Sequence, residues 1–260
     1  MLLVSARHLK SSPKDLSMLP DIGADNNIYL SPHYDDIAFS LGARVAAMPG
    51  GRLVNLFTRS GYVAGTPAEH WPDAETIARV MVLRRHEDMA FSERHRLERL
   101  DLGFDEPPVR RRSPWDLGGL ADDIAQARIA LTELLLALPL GARIFCPAGI
   151  GGHVNHLAVR ALVVELLPAL AGRVEVLFYE DLPYAASSRA RRAGIADLHA
   201  ALAGSRLRRQ AWASSIAKLE AVNCYPSQLA SPATSLRRFS PRAVWPIGRH
   251  EAVWRLVTTS

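Results

Sequence analysis

Residues 27–51, NIYLSPHYDDIAFSLGARVAAMPGG, decide the fold. The stretch opens on a short apolar run, 27–31, closed by Pro32, which reads as a buried strand. Behind it Ile37, Leu41, Val45 and Met48 recur at helical spacing and make one apolar stripe, which Pro49, Gly50 and Gly51 end. A second apolar run, LVNLFT at 53–58, follows at once. Strand, helix and strand in that order predict a right-handed crossover between two parallel strands.

The same grammar continues outward. Residues 59–72 form a long loop bearing Gly and Pro, the kind of segment that serves function in a compact domain. A helix is expected over 73–94 with Asp73 as its cap, a weaker strand over 99–102, and an irregular loop over 105–114 (DEPPVRRRSP). Then come a helix over 120–138, a strand over 143–146, a helix over 157–167 stopped by Pro168, and a strand over 174–179. This alternation predicts an α/β fold: a Rossmann-like, doubly wound, mostly parallel sheet with helices on both faces. After Pro183 the pattern loosens into Ala- and Arg-rich helices with a late strand at 207–212. The expectation is one domain over 1–260, with a core over about 27–180 and a C-terminal capping region, 181–260, packed on it.

With 48% hydrophobic and 22% charged residues, the 260-residue chain is neither disordered nor fibrous. Charged residues break every apolar run well short of the roughly 20 residues a membrane-spanning helix needs. The first residues, MLLVSARHLKSSPKDL, lack the pattern of a signal peptide, and Cys146 and Cys224 cannot build a disulfide framework or a four-cysteine zinc site. A cytoplasmic enzyme is expected. The net charge of +5 is carried by arginine, since Lys10, Lys14 and Lys218 are the only lysines. Arginines gather at 110–112, at Arg189, Arg191 and Arg192, at Arg206, Arg208 and Arg209, and at Arg237 and Arg238. Such clusters suit an anionic ligand or form solvated faces. No aromatic run interleaves with them, so nucleic acid is not an expected partner.

In open α/β sheets, ligands bind beyond the carboxyl ends of strands. Two clusters able to hold a metal fall at such places: SPHYDD after the first strand and GGHVNH after the strand at 143–146. Each holds two candidate ligands three residues apart, His33 with Asp36 and His153 with His156, a spacing that puts both on one face of a helix start. A catalytic zinc takes three protein ligands and keeps one open position, so one of the four candidates has another task. Asp35 could accept a proton from water, or either aspartate could cap the helix that follows. Tyr62, Trp71 and Tyr184 lie in loops from which they could stack on a sugar ring or simply pack. Arg84 and Arg85 stand beside Glu87 and Asp88 and could pair with them or meet substrate.

PHYDD after a strand, the Arg84-x-x-Glu87 helix, GGHVNH, the Tyr-Glu-Asp-Leu-Pro-Tyr segment and the late Lys218, Tyr225, Ser227 and Gln228 together resemble the PIG-L/LmbE-like zinc-dependent N-deacetylases. The resemblance runs from about residue 27 to about residue 228. It implies hydrolysis of the acetyl (acyl) amide of an N-acetylglucosamine-type amino-sugar conjugate by metal-activated water, with one Zn2+ per chain. It places His33, Asp36 and His156 as metal ligands and Asp35 as general base. His153, protonated, would steady the oxyanion. Arg84 would touch substrate and Asp105 a sugar hydroxyl. Two positions depart from the pattern. Ile37 stands where a glutamate is common, and Asn155 stands where an aspartate is usual, so His153 loses a charged partner there. The arginine clusters add the expectation of an anionic aglycone. A metal-dependent phosphoesterase and a non-catalytic sugar- or partner-binding protein on the same fold are the alternatives.

Overall fold

The computed structural model describes residues 26–67, 71–202, 205–241 and 248–257. Its elements in chain order are β1 (Asn27–Ser31), α1 (Asp36–Ala47), β2 (Arg52–Asn55), α2 (Ala74–His95), β3 (Glu98–Asp101), α3 (Leu120–Leu136), β4 (Arg143–Pro147), α4 (Val154–Leu170), β5 (Glu175–Tyr179), α5 (Ser188–Ala201), β6 (Arg206–Ala213), α6 (Ile216–Val222) and β7 (His250–Val257). The strands form one sheet in the order β3-β2-β1-β4-β5-β7-β6. The first five run parallel, and β7 and β6 add on antiparallel. The expected α/β class and mostly parallel sheet are therefore found. Among the described residues no helix is long and apolar enough to cross a membrane.

Strand order explains where a site can form. From β1 the chain winds one way to β2 and β3; from β4 it winds the other way to β5. The reversal between β1 and β4 opens a crevice at their carboxyl ends, because the two following segments leave to opposite sides. Both sequence clusters start there.

The central strands are buried on both faces, as parallel strands under two helical layers must be. Side chains alternate: Ile28 and Leu30 of β1 join a core with α3, α4 and α5, while Tyr29 between them joins the core under α1, α2 and α6. The edge strand β3 is largely half-buried, which fits its weak apolar signal.

Three elements differ from expectation. α4 begins at Val154 rather than 157, because His153 serves as its N-cap and accepts a hydrogen bond from Asn155 N at 3.3 Å. It runs past Pro168 to Leu170; a proline in the last turn costs one backbone bond and ends the helix a few residues on. The last third does more than cap the domain. β7, a strand not expected from the sequence, inserts between β5 and β6 and lengthens the sheet.

α1 is broken at Leu41, whose φ of −129° and ψ of 16° are not helical. Lys218 Nζ donates to Phe39 O at 2.5 Å, and the Glu251 carboxylate accepts from Ala43 N at 2.9 Å and Arg44 N at 3.0 Å. Lys218 and Glu251 also pair with each other at 2.5 Å, both fully buried. The pair thus satisfies the backbone groups that the break frees. Removing one member would leave a buried charge unmatched. Lys218→Met should lower stability by about 3–5 kcal/mol and Tm by something on the order of 10 °C, measured by thermal denaturation. Adding Glu251→Gln should recover part of that loss, whereas an unchanged Tm in the single variant would show that the pair does not hold the break.

Candidate metal centre and active site

Asp36 is the hub of the site. It opens α1, is 5% exposed, and has His33 on one side and His156 on the other. Its Oδ2 lies 3.2 Å from His33 Nδ1 and its Oδ1 lies 3.3 Å from His156 Nε2. Burial alone would raise this carboxyl, but His156 and His33 hold it well below the usual carboxylate range.

Each imidazole is turned by a partner behind it. His156 Nδ1 bonds Asp181 Oδ1 at 2.7 Å, and Asp181 is anchored in turn by Ile150 N at 2.8 Å. His156 Nε2 is buried without a hydrogen-bond partner among the described residues, an orphan atom that calls for a ligand. His33 Nε2 meets Asn155 Oδ1 at 3.0 Å. His33, His153 and His156 offer ring nitrogens within 4.8 Å of one another. With Asp36 that makes four donors, one more than a catalytic metal requires, and a nitrogen- and carboxylate-rich set of this kind suits a divalent metal ion.

Asp35 is held apart from that group. It occupies the N-cap position of α1, yet its side chain caps nothing; Oδ1 accepts from Arg84 Nη2 at 2.9 Å instead. Burial raises its carboxyl, Arg84 opposes this, and the neighbouring Asp36 adds to the rise. Arg84 is itself buried at 2% exposure and also donates to Glu106 Oε1 at 2.8 Å and Ser60 Oγ at 2.9 Å.

These groups line one cavity of about 320 Å³ with an apolar rim that includes Tyr62, Pro108, Pro114, Trp115 and Tyr184. Of the residues singled out in the sequence, His33, Asp35, Asp36, Arg84 and His153 line it, and His156 is joined to them by its contact with Asp36. Asp105 is the exception. Its side chain pairs with Arg59 at 2.5 Å away from the cavity, and its neighbour Glu106 takes the place at the wall. Residues 105 and 106 are both acidic, and their side chains take different partners, Arg59 for Asp105 and Arg84 for Glu106.

The state of His153 is a second correction. Burial, with His33 and His156 close by, pushes its imidazole well below the ordinary value, which disfavours the protonated form. Its Nδ1 accepts from Asn155 N, which leaves the proton on Nε2. Of the three loop aromatics singled out, Tyr62 and Tyr184 line the cavity, and Trp115, not anticipated, joins them. Gly151, at φ of 96°, lets Tyr184 approach: a Cβ there would lie 2.4 Å from the Tyr184 ring.

Four of the clustered arginines are spent on acids of the chain itself. Arg110 pairs with Asp123, Arg112 with Asp122, and Arg191 and Arg209 with Glu180. Beside Arg84, the only cation lining the cavity among the described residues is Arg238.

In the metal-free chain, burial would lower His156, but Asp36 and Asp181 push it up to about 10. A group raised in this way lends its stability fully below its ordinary value of 6.5 and loses it as pH rises through about 10. A metal must displace that proton. Zinc binding at pH 7 should therefore release at least about one proton per ion, measured by calorimetry in buffers of differing ionisation enthalpy. No release would mean that His156 is already neutral before the metal arrives.

No protein-family model matches the chain. The 2'-N-acetylparomamine deacetylase of Streptomyces fradiae is 33% identical over 177 residues, which take in 61% of this chain and 57% of that protein. The chain thus spans little more than half the length of that relative. Among solved structures, a teicoplanin deacetylase in complex with teicoplanin superposes with a TM-score of 0.64 at 20% identity, covering 90% of this chain and 99% of that one. The A40926 pseudoaglycone deacetylase Dbv21 gives 0.61 at 19%, covering 90% and 97%. The zinc-inhibited form of the teicoplanin deacetylase Orf2 gives 0.63 at 20%, covering 89% and 97%. The resemblance to PIG-L/LmbE-like N-deacetylases seen in PHYDD and GGHVNH is thus matched by a sequence relative and by the fold.

Proposed function

We propose that this chain is a zinc-dependent N-deacetylase that hydrolyses the acetyl amide of an amino sugar carried on a larger glycoside. The observation that carries the reading is the convergence of His33 and His156 on Asp36 at the cavity wall, with a separate carboxylate, Asp35, lining the same cavity. His33 Nδ1, Asp36 and His156 Nε2 would hold the metal. Bound there, zinc supplies Lewis acidity toward the acyl oxygen and makes water a nucleophile near neutral pH.

The chain's own residues do the remaining work. Asp35, with its carboxyl raised, takes a proton from the attacking water as the oxygen bonds to the acyl carbon. The same carboxyl then gives that proton to the sugar nitrogen as the carbon–nitrogen bond breaks, so acetate and a free amine leave and Asp35 is restored. Arg84 keeps the Asp35 carboxylate aimed and ties it to Glu106 across the cavity wall. The His153 Nε2–H donates to the developing oxyanion. A neutral donor suffices, and one such donor is typically worth about 3 kcal/mol. Glu106, which lines the cavity, would meet a sugar hydroxyl with the acceptor capacity that Arg84 and Ser60 leave, the role first expected of Asp105.

The rim fits a bulky glycoside. Tyr62 and Trp115 are 40% and 49% exposed at the cavity mouth and offer flat apolar faces outside the reacting group. An anionic aglycone would find Arg238 there, since Arg84 already serves two carboxylates. A two-metal phosphoesterase needs bridging carboxylates. Among the described residues the other cavity acids, Asp35 and Glu106, are both engaged by Arg84 instead.

The test pairs metal content with acetate release. Wild type should hold about one zinc per chain and release acetate from N-acetylglucosaminides, with zinc kept at stoichiometric level because a structural neighbour has a zinc-inhibited form. His156→Ala should lose the metal. Asp35→Asn should keep the metal while kcat falls about 10²–10⁴-fold; near-normal kcat would remove Asp35 as the base. Arg238→Ala should raise KM for an anionic conjugate and leave a neutral one unchanged. Equal KM changes for both would dismiss the anionic aglycone.

A further inference from the structure

We propose that Asp123, in the first turn of α3, is a positioning residue for the metal centre: acting through Asn155, it decides which nitrogen His33 presents. The inference rests on the metal-centre reading above and extends it to a residue that touches neither substrate nor metal.

Each link in the chain forces the next. Asp123 is fully buried and accepts a hydrogen bond from Asn155 Nδ2 at 2.9 Å. A carboxylate paired with arginine has no proton to give, so the amide nitrogen of Asn155, and not its oxygen, must face Asp123. The amide oxygen is thereby turned to His33 Nε2 at 3.0 Å. An amide oxygen only accepts, so Nε2 carries the hydrogen. In a neutral imidazole the lone pair then lies on Nδ1, the atom 3.2 Å from Asp36 Oδ2. The ligating atom of His33 is thus chosen at Asp123, by way of one amide. Asp181 does the same for His156 directly.

Arg110 completes the chain at its outer end. It pairs with Asp123 and is itself 20% exposed, so the buried carboxylate is matched by a guanidinium that reaches solvent. This also accounts for the departure at position 155. An aspartate there would face Asp123 with two like charges and no hydrogen between them. An asparagine donates to Asp123 with one end and accepts from His33 with the other. The negative charge has moved one residue outward from the histidine, and the asparagine relays it.

The experiment uses the full chain and two readouts. Long-range 1H–15N spectra of histidine-labelled, metal-free protein report which nitrogen of His33 is protonated. They are read at a pH high enough for the ring to be neutral, because burial, which would lower its pKa, is outweighed by Asp36, which raises it above the ordinary value. Chelator competition reports the zinc dissociation constant. Wild type should show the proton on His33 Nε2. Asp123→Ala should mix the two tautomers and weaken zinc about ten- to hundredfold, the usual cost of losing a partner behind a ligand. Asn155→Asp alone should also weaken zinc, by setting two carboxylates face to face.

Because either single change could disturb folding, the exchanged pair Asp123→Asn/Asn155→Asp is decisive. It restores a donor between the two side chains and an acceptor at His33, so affinity should return toward wild type. Single variants that keep wild-type zinc affinity and a wild-type His33 spectrum would overturn the proposal. So would an exchanged pair no better than the singles. A wild type that takes up no zinc would instead sink the metal-centre reading, and the His33 spectrum alone would then decide whether Asp123 sets the tautomer.

Discussion

The structure turns on a carboxylate that is almost wholly buried. Asp36 is nearly buried at the crevice between β1 and β4, and an ionised carboxylate there is costly unless charge and hydrogen bonds surround it. Its oxygens accept from the His33 backbone N–H at 2.7 Å and stand against two imidazoles. Those imidazoles are in turn fixed by Asp181 and by Asn155 with Asp123. The partners come from the turn before α1, from α4, from the end of β5 and from α3. The doubly wound sheet is what makes this possible, because only at the reversal of strand order do segments from both halves of the sheet meet.

Position also depends on α1 not sliding. Its first turn carries Asp36, and its middle is pinned where Lys218 and Glu251 take up the backbone groups freed at Leu41. The late segment does further anchoring. Tyr225 OH bonds Asp88 Oδ1 at 2.7 Å, and Ser227 bonds Glu87 through both N and Oγ, at 2.7 and 2.6 Å. Asp88 and Glu87 share α2 with Arg84, so the same helix that aims Asp35 is clamped from behind by the C-terminal third. Ala64 N donates to Ser227 O at 2.7 Å, which brings the rim loop into the same clamp. The last third of the chain is therefore part of how the site is built, even though few of its side chains reach the cavity.

Local pattern made the parallel half of the sheet legible, since each strand and helix there carries its own periodicity and its own stop. Both histidine clusters that line or adjoin the cavity are legible because they follow strands at the carboxyl end. The same rule pointed to Asp181, directly beyond β5, although it was not singled out. Asp123 left no local sign. It reads as an ordinary acid in the first turn of a helix, and only the packing of α3 on α4 sets it against Asn155. β7 was missed for a related reason. An antiparallel strand arriving late from a distant loop has no crossover helix to announce it, and its alternation in HEAVWRLV is short. Asp105 and Glu106 show the limit of motif transfer into irregular chain, where one residue of register reverses which side chain faces the cavity.

The excess of arginine has a structural origin in the same arrangement. Buried or half-buried acids are needed to orient the histidines and the base, and each then needs a cation with several donors. A guanidinium supplies a planar fork that can bridge two acceptors, as Arg84 does between Asp35 and Glu106 and Arg99 does between Asp88 and Asp101. A lysine ammonium is a point charge and would serve one partner well. The one lysine in the core, Lys218, sits where a single compact charge is wanted, against one carboxylate and one carbonyl. Net charge, read alone, would have pointed outward to an anionic partner. Part of it is instead directed inward, at acids such as Asp35, Glu106, Asp88 and Asp123.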